Sequence, residues 1–101
     1  MRRAPASCLI LALAACASPA PEFFGATRHE ITLSGIDFVV WQDGERAEVT
    51  RLGYLGRAGR AAVPALMLTA VETVTGCRVR PGSVRTGIPG DTGEARMSLD
   101  C

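Results

Sequence analysis

The hydrophobic pattern changes its period once along the chain, and this change constrains the fold more than any other feature. Between residues 27 and 54 apolar and polar residues alternate, as they do in strands with one buried face. From residue 63 to residue 74 the apolar residues recur at offsets of 0, 3, 4, 7, 8 and 11, which is one stripe of a helix. A chain with both periods in this order predicts a helix packed on a sheet.

The alternating region predicts three strands joined by tight turns. Ser34-Gly35 suits a two-residue turn, and Asp43-Gly44 is a strong hairpin signal because both residues tolerate positive φ angles. The third strand, over about residues 46–54, carries Val49 and Leu52 at opposite parity. We therefore expect a bulge or an early end in this strand.

The helix is predicted over about residues 61–75, because Pro64 suits a first helical turn and Gly76 suits a C-terminal end. Two more strands are predicted, one within residues 77–85 and one over residues 94–99. The predicted fold class is α+β: a small two-layer sandwich of one helix on an antiparallel sheet of four or five strands, in the order β-β-β-α-β-β.

The first fifteen residues have the organisation of a secretory signal. Arg2 and Arg3 precede an apolar run, residues 8–15, that is shorter than the about 20 residues a membrane-spanning helix needs. The next feature, Leu13-Ala14-Ala15-Cys16, resembles the lipobox of bacterial lipoprotein precursors. The alternatives are an ordinary signal peptide cut after Ala17 and, less favoured, a buried N-terminal helix.

The resemblance implies that Cys16 is lipidated and becomes the first residue of the mature chain. The protein would then lie in the bacterial cell envelope, held on a membrane by its lipid and facing the periplasm. Ala17 stands where an aspartate often resembles an inner-membrane retention signal, which favours the outer membrane. Residues 16–26 are predicted to be a flexible, proline-rich tether, and residues 27–101 a single small domain.

Four cysteines reduce to one pair if the leader is removed and Cys16 carries lipid. Cys77 and Cys101 remain, in a compartment that favours disulfides, and a bridge between them would stabilise the domain by about 3 kcal/mol. The alternatives are two buried thiols, or a metal site with His29, for which the ligand spacing is poor.

Charge and motif content argue against several classes of function. Without Arg2 and Arg3, nine arginines face ten acidic residues, a formal charge of −1, which disfavours a nucleic-acid partner. His29 is the only histidine, and no serine or carboxylate is spaced to form a catalytic arrangement with it. The glycine-rich segment Gly53–Arg60 is a weak candidate for anion binding. We expect no catalytic residue, metal or cofactor.

The sheet face away from the helix offers a candidate partner surface. If Phe38 and Val40 point to the helix, Val39 and Trp41 point away from it, and an outward tryptophan often marks a contact surface. The alternative is that Phe23-Phe24 folds over these side chains and closes a second small core. A contact of Phe23-Phe24 with lipid or a membrane partner is the remaining interpretation.

The predicted function is that of a non-enzymatic, membrane-anchored interaction module with an envelope protein as partner. The alternative is a periplasmic inhibitor or ligand-binding protein, for example a guard against a lysozyme-type hydrolase. Small lipoproteins with a C-terminal disulfide resemble such inhibitors in size, but the known inhibitors are all-β barrels and the predicted helix departs from them. An enzyme is the least favoured hypothesis.

Overall fold

The computed structural model describes residues 19–88 and 90–101, so the leader, the lipobox and Cys16 lie outside the described residues. The strands are β1 (Thr27–Leu33), β2 (Ile36–Asp43), β3 (Arg46–Arg51), β4 (Arg78–Val79) and β5 (Glu94–Asp100), and the helices are α1 (Arg57–Arg60) and α2 (Val63–Thr75). The five strands form one antiparallel sheet in the order β1-β2-β3-β5-β4. The predicted α+β class and element order are confirmed.

Both predicted hairpins are present. Ser34 and Gly35 have φ angles of +53° and +77°, as a type I′ turn requires. In the second hairpin Asp43 still pairs with Arg46, so the central residues are Gly44-Glu45 rather than Asp43-Gly44. Gly44, at +61°, takes the positive φ that the first central position of a type II′ turn demands.

Helix α2 ends where its sequence indicates and begins at Val63, two residues after the predicted start. Pro64 lies in the first turn, and Gly76 ends the helix with a φ of +72° while its N–H donates to the carbonyl of Glu72. The apolar stripe of α2 packs on the sheet. The glycine-rich connection before it contains the single helical turn α1, which the sequence did not predict.

The main core lies between α2 and the sheet. Its fully buried side chains come from alternate positions of the strands and from one face of the helix: Phe38, Val40, Ala47, Val49, Val63, Met67, Ala70, Val71, Ala95, Met97 and Leu99. Strand β3 ends at Arg51, and Leu52 packs on the opposite sheet face. Val49 and Leu52 have opposite parity because each packs on a different buried face of the sheet, and the Leu52 N–H still donates to the carbonyl of Asp37.

A disulfide joins Cys77 to Cys101, with an S–S length of 2.03 Å and a Cα–Cα distance of 4.4 Å. Cys77 follows the C-terminal end of α2, and Cys101 follows β5. The two residues of β4 pair with the end of β5 beside the bridge. The predicted bond therefore fastens the last strand to the exit of the helix.

Candidate functional site

The outer sheet face is covered, so the expectation that Val39 and Trp41 form a partner surface is wrong. Phe23 packs on both side chains, and Trp41 retains only 4% of its exposure while Val39 retains none. A 3₁₀ turn over Pro21–Phe23 directs the Phe23 ring onto the sheet. Phe24, the next residue, stays 68% exposed. The alternative, a second small core closed by this segment, is the one observed, with the ring of Phe23 rather than that of Phe24 buried in it.

Polar contacts fasten the same segment to the sheet. The Ala20 N–H donates to Oε1 of Glu48 at 2.7 Å. Glu22 accepts hydrogen bonds from the guanidinium groups of Arg46 at 3.1 Å and Arg96 at 3.4 Å. The Arg46 guanidinium also lies over the Phe23 ring, 5.3 Å from its centroid.

The expected flexible tether over residues 16–26 is therefore wrong for residues 20–26. The apolar contact of Phe23 and the hydrogen bond from Ala20 to Glu48 hold this segment on the sheet. Neither contact can be inferred from the proline-rich composition of the segment. Described contacts with the sheet therefore extend at least to Ala20, seven residues before Thr27. Residues 16–18 lie outside the described residues.

Glu48 is a buried carboxylate on the covered face. Burial raises its pKa above the ordinary value of 4.5, and the charges of Glu94 and Glu22 act in the same direction. The Ala20 N–H and the Arg96 guanidinium oppose this shift. Ionised Glu48 therefore weakens the fold, because the folded state holds the proton more tightly than the unfolded chain does.

Glu48→Gln is expected to raise the free energy of unfolding at pH 7, since the amide keeps an acceptor for Ala20 and removes the buried charge. The wild type should regain this stability as the pH falls through the raised pKa, and the gain should be complete only below pH 4.5, the ordinary value. Urea unfolding of both proteins between these pH values measures the difference. The exposed Glu45→Gln is the control, and a Glu48→Gln effect that does not change with pH would contradict this account.

An apolar groove of about 540 Å³ opens between α2, β5 and the loop that joins β4 to β5. Ala65, Met67 and Leu68 line it from the helix, and Ala95 and Met97 form its floor. The loop contributes Val84, which is partly exposed. Apolar walls and this volume are typical of sites that bind small apolar groups.

The sequence did not predict this groove. Leu68 lies outside the helical stripe of residues 63–74, and in the structure it packs at the edge of the main core and lines the groove. The other wall belongs to a loop of glycine, proline and polar residues with no hydrophobic period. The only sequence signal for the groove in this loop is Val84, an apolar residue among polar ones that lines the groove.

A second, smaller pocket of about 160 Å³ lies beside Phe23 and is polar. Arg46, Arg85 and Arg96 line it together with Ser83 and Ser98. Its cations have partners, because Arg46 and Arg96 bind Glu22, and Arg85 donates to loop carbonyls at 2.8 and 2.9 Å.

The remaining polar candidates are not brought together. His29 lies on β1, three strands away from Ser98 on β5 and offset by three residues along the strands, a separation of about 17 Å. The Ser83 hydroxyl is held by backbone groups of Arg80 and Ser98. In the glycine-rich segment, Arg60 donates to the carbonyl of Leu55 at 2.9 Å instead of facing an open loop.

Two further properties concern only residues 19–88 and 90–101. Within them, no group of three or more histidine, cysteine, aspartate or glutamate side chains is arranged to hold a metal ion. None of their helices has the length and apolar character needed to span a membrane. Comparisons of the chain with protein-family models, with curated proteins and with solved structures gave no match.

Proposed function

We propose that the protein is a non-enzymatic module of the bacterial envelope, anchored through lipid on Cys16 and holding an envelope protein partner close to the membrane. The observation that carries the anchor is the order of positive charge, apolar run and Leu13-Ala14-Ala15-Cys16 at the start of the chain. Diacylglyceryl supplies two acyl chains, which is the number that stable anchoring requires.

The folded domain is consistent with a location in the bacterial envelope. The disulfide between Cys77 and Cys101 suits an oxidising compartment such as the periplasm. Ala20, whose N–H is bound by Glu48, lies four residues after Cys16. Four residues span at most about 14 Å, so the anchor would hold the domain against the bilayer surface. The domain would then reach only partners that lie close to this surface.

Cys16→Ser is expected to abolish incorporation of labelled palmitate and to leave the leader attached, because lipoprotein processing acylates the cysteine thiol before the leader is cut. Cys8→Ser is the matched control, since Cys8 lies in the leader and should leave the mature protein unchanged. Palmitate labelling and fractionation of cells, followed by immunoblotting, measure the acylation, size and location of both variants. Palmitate incorporation into the Cys16→Ser protein, or a mature size equal to that of the wild type, would refute the anchor.

The apolar groove favours a second candidate function, the binding of an alkyl chain. Its walls are apolar, and Ala65 and Ala95 leave space that larger side chains would fill. Each methylene buried in such a site contributes about 0.8 kcal/mol, so a short chain suffices for measurable affinity.

Ala65→Trp is expected to fill the groove and reduce the binding of a fluorescent alkyl probe, such as a dansyl-labelled fatty acid, at least about tenfold, the loss of roughly two buried methylenes. Ala61→Trp, on an exposed residue outside the groove, is the control. Probe titration measures both variants. No saturable binding by the wild type would remove this candidate and leave the anchored module untouched.

A further inference from the structure

The two edges of the sheet differ in a way that points to self-association. Strand β4, at one edge, has only two residues and is followed by Arg80 and Pro81, features that discourage the addition of another strand. Strand β1, at the other edge, has seven residues and no proline. Among the residues that the structure describes, no strand pairs with the outer side of β1.

The backbone groups on the outer side of β1 belong to Arg28, Glu30 and Thr32. Leu33 and Ile36 close a two-residue turn as a hydrogen-bonded pair, so alternate residues of β1 direct their N–H and C=O groups away from β2. The carbonyl of Asp37, which faces Thr32, accepts from the Leu52 N–H on the side away from β1, as this alternation requires. Arg28, Glu30 and Thr32 are also exposed.

We propose that two copies of the chain pair through antiparallel β1 edges, with His29 of each copy facing the other on the two-fold axis. In this register Arg28 faces Glu30 of the second copy, and the contact occurs twice because the interface is symmetric. Within one copy, Arg28 and Glu30 already form an ion pair on the outer sheet face. The edge therefore carries a charge pattern that is complementary to itself.

Charge also selects this register against its neighbours. Residues whose backbone groups face outward on one copy pair only with such residues on the other copy. The strands can therefore shift past each other only in steps of two residues, which gives one neighbouring register in each direction. One of them places Glu30 opposite Glu30, and the other places Arg28 opposite Arg28. Like charges directly opposite each other are destabilising, whereas the proposed register opposes unlike charges.

The pairing of five residues on each strand gives a small interface, which is typical of weak and transient association. The proposal deepens the proposed function and rests on it for one point: a lipid anchor confines the copies to a layer at the bilayer, where effective concentrations reach about the millimolar range. The second copy is thereby the partner that the envelope module holds.

Sedimentation equilibrium of the unlipidated mature chain, carrying Cys16→Ser, tests the pairing without the anchor. The chain is expected to show a monomer–dimer equilibrium at up to about 1 mM. Arg28→Glu should raise the dimer dissociation constant at least about tenfold, and so should Glu30→Arg, because each replaces two attractive pairs with two repulsive ones. The double variant with both changes should restore dimerisation.

Arg57→Glu, which changes the net charge equally on the exposed turn α1, should leave the dissociation constant unchanged. Unchanged Trp41 fluorescence would verify the fold of every variant. A wild type that stays monomeric at about 1 mM, a charge swap that fails to restore dimers, or an equal effect of Arg57→Glu would each overturn the pairing. These results do not depend on lipidation, which the palmitate labelling of the Cys16→Ser variant tests by itself.

Crosslinking of the full chain in cells tests the register. His29→Cys should give a disulfide-linked dimer on non-reducing gels, because facing residues of a non-hydrogen-bonded antiparallel pair have Cα atoms about 4.5 Å apart. Thr32→Cys should not, because the two copies of residue 32 lie about 20 Å apart in this register. Dimers from Thr32→Cys, or none from His29→Cys, would overturn the register.

Discussion

Replacing Phe23 by alanine is expected to lower the free energy of unfolding by about 3 kcal/mol, the usual cost of removing a fully buried phenylalanine ring. The ring is the cover of the outer face, so its loss exposes Val39 and Trp41. Arg46 loses its contact with the ring at the same time. The segment from Ala20 to Phe24 should then leave the sheet, because its remaining fastening is polar and partly exposed.

Trp41 reports this change directly, because it is the only tryptophan of the chain. In Phe23→Ala its emission should shift to longer wavelength, and iodide should quench it more strongly. Phe24→Ala is the matched control: the same change on a ring that is 68% exposed should alter stability by less than about 0.5 kcal/mol. Equal effects of the two substitutions would contradict the assignment of Phe23 as the cover.

Removing the disulfide with the double variant Cys77→Ala/Cys101→Ala is expected to cost about 3 kcal/mol. The bridge closes a loop that contains β4, the following loop and β5, so its loss restores the freedom of that loop in the unfolded chain. This is a large part of the stability of a domain of this size. Urea unfolding measures the loss.

Reduction of the wild-type protein provides the control for the double variant. Wild-type protein unfolded in the presence of a reductant should match the double variant, and the reductant should not change the variant itself. Amide exchange should increase first at Arg78–Val79 and in the last residues of β5, which the bridge fastens. Identical unfolding curves for the oxidised wild type and the double variant would show that the bridge does not stabilise the fold.

The layer structure of the domain was predictable from the sequence because it depends on local periods. Alternation placed Phe38 and Val40 toward the helix, and the helical stripe placed Val63 and Met67 toward the sheet, as observed. The C-terminal end of the helix followed from Gly76, whose positive φ angle suits no other residue as well. Cys77 and Cys101 were the pair left after the other two cysteines were assigned.

Other features depend on contacts between distant segments, and no local period reports them. Phe23 and Phe24 are adjacent and identical, and only the 3₁₀ turn after Pro21 decides which ring is buried. The groove arises where the loop between β4 and β5 passes Leu68, and the path of that loop is not written in a repeating pattern. The self-complementary charges of Arg28 and Glu30 indicate pairing between two copies only once β1 is known to be an edge strand.

Intact mass spectrometry of the protein extracted from membranes tests the proposed anchor most directly. The account predicts a chain that begins at Cys16 and carries the added mass of a diacylglyceryl group. It also predicts one disulfide, between Cys77 and Cys101, which lowers the mass by two hydrogens. A mass that includes the leader, or a chain that starts at another residue without fatty acid, would contradict it.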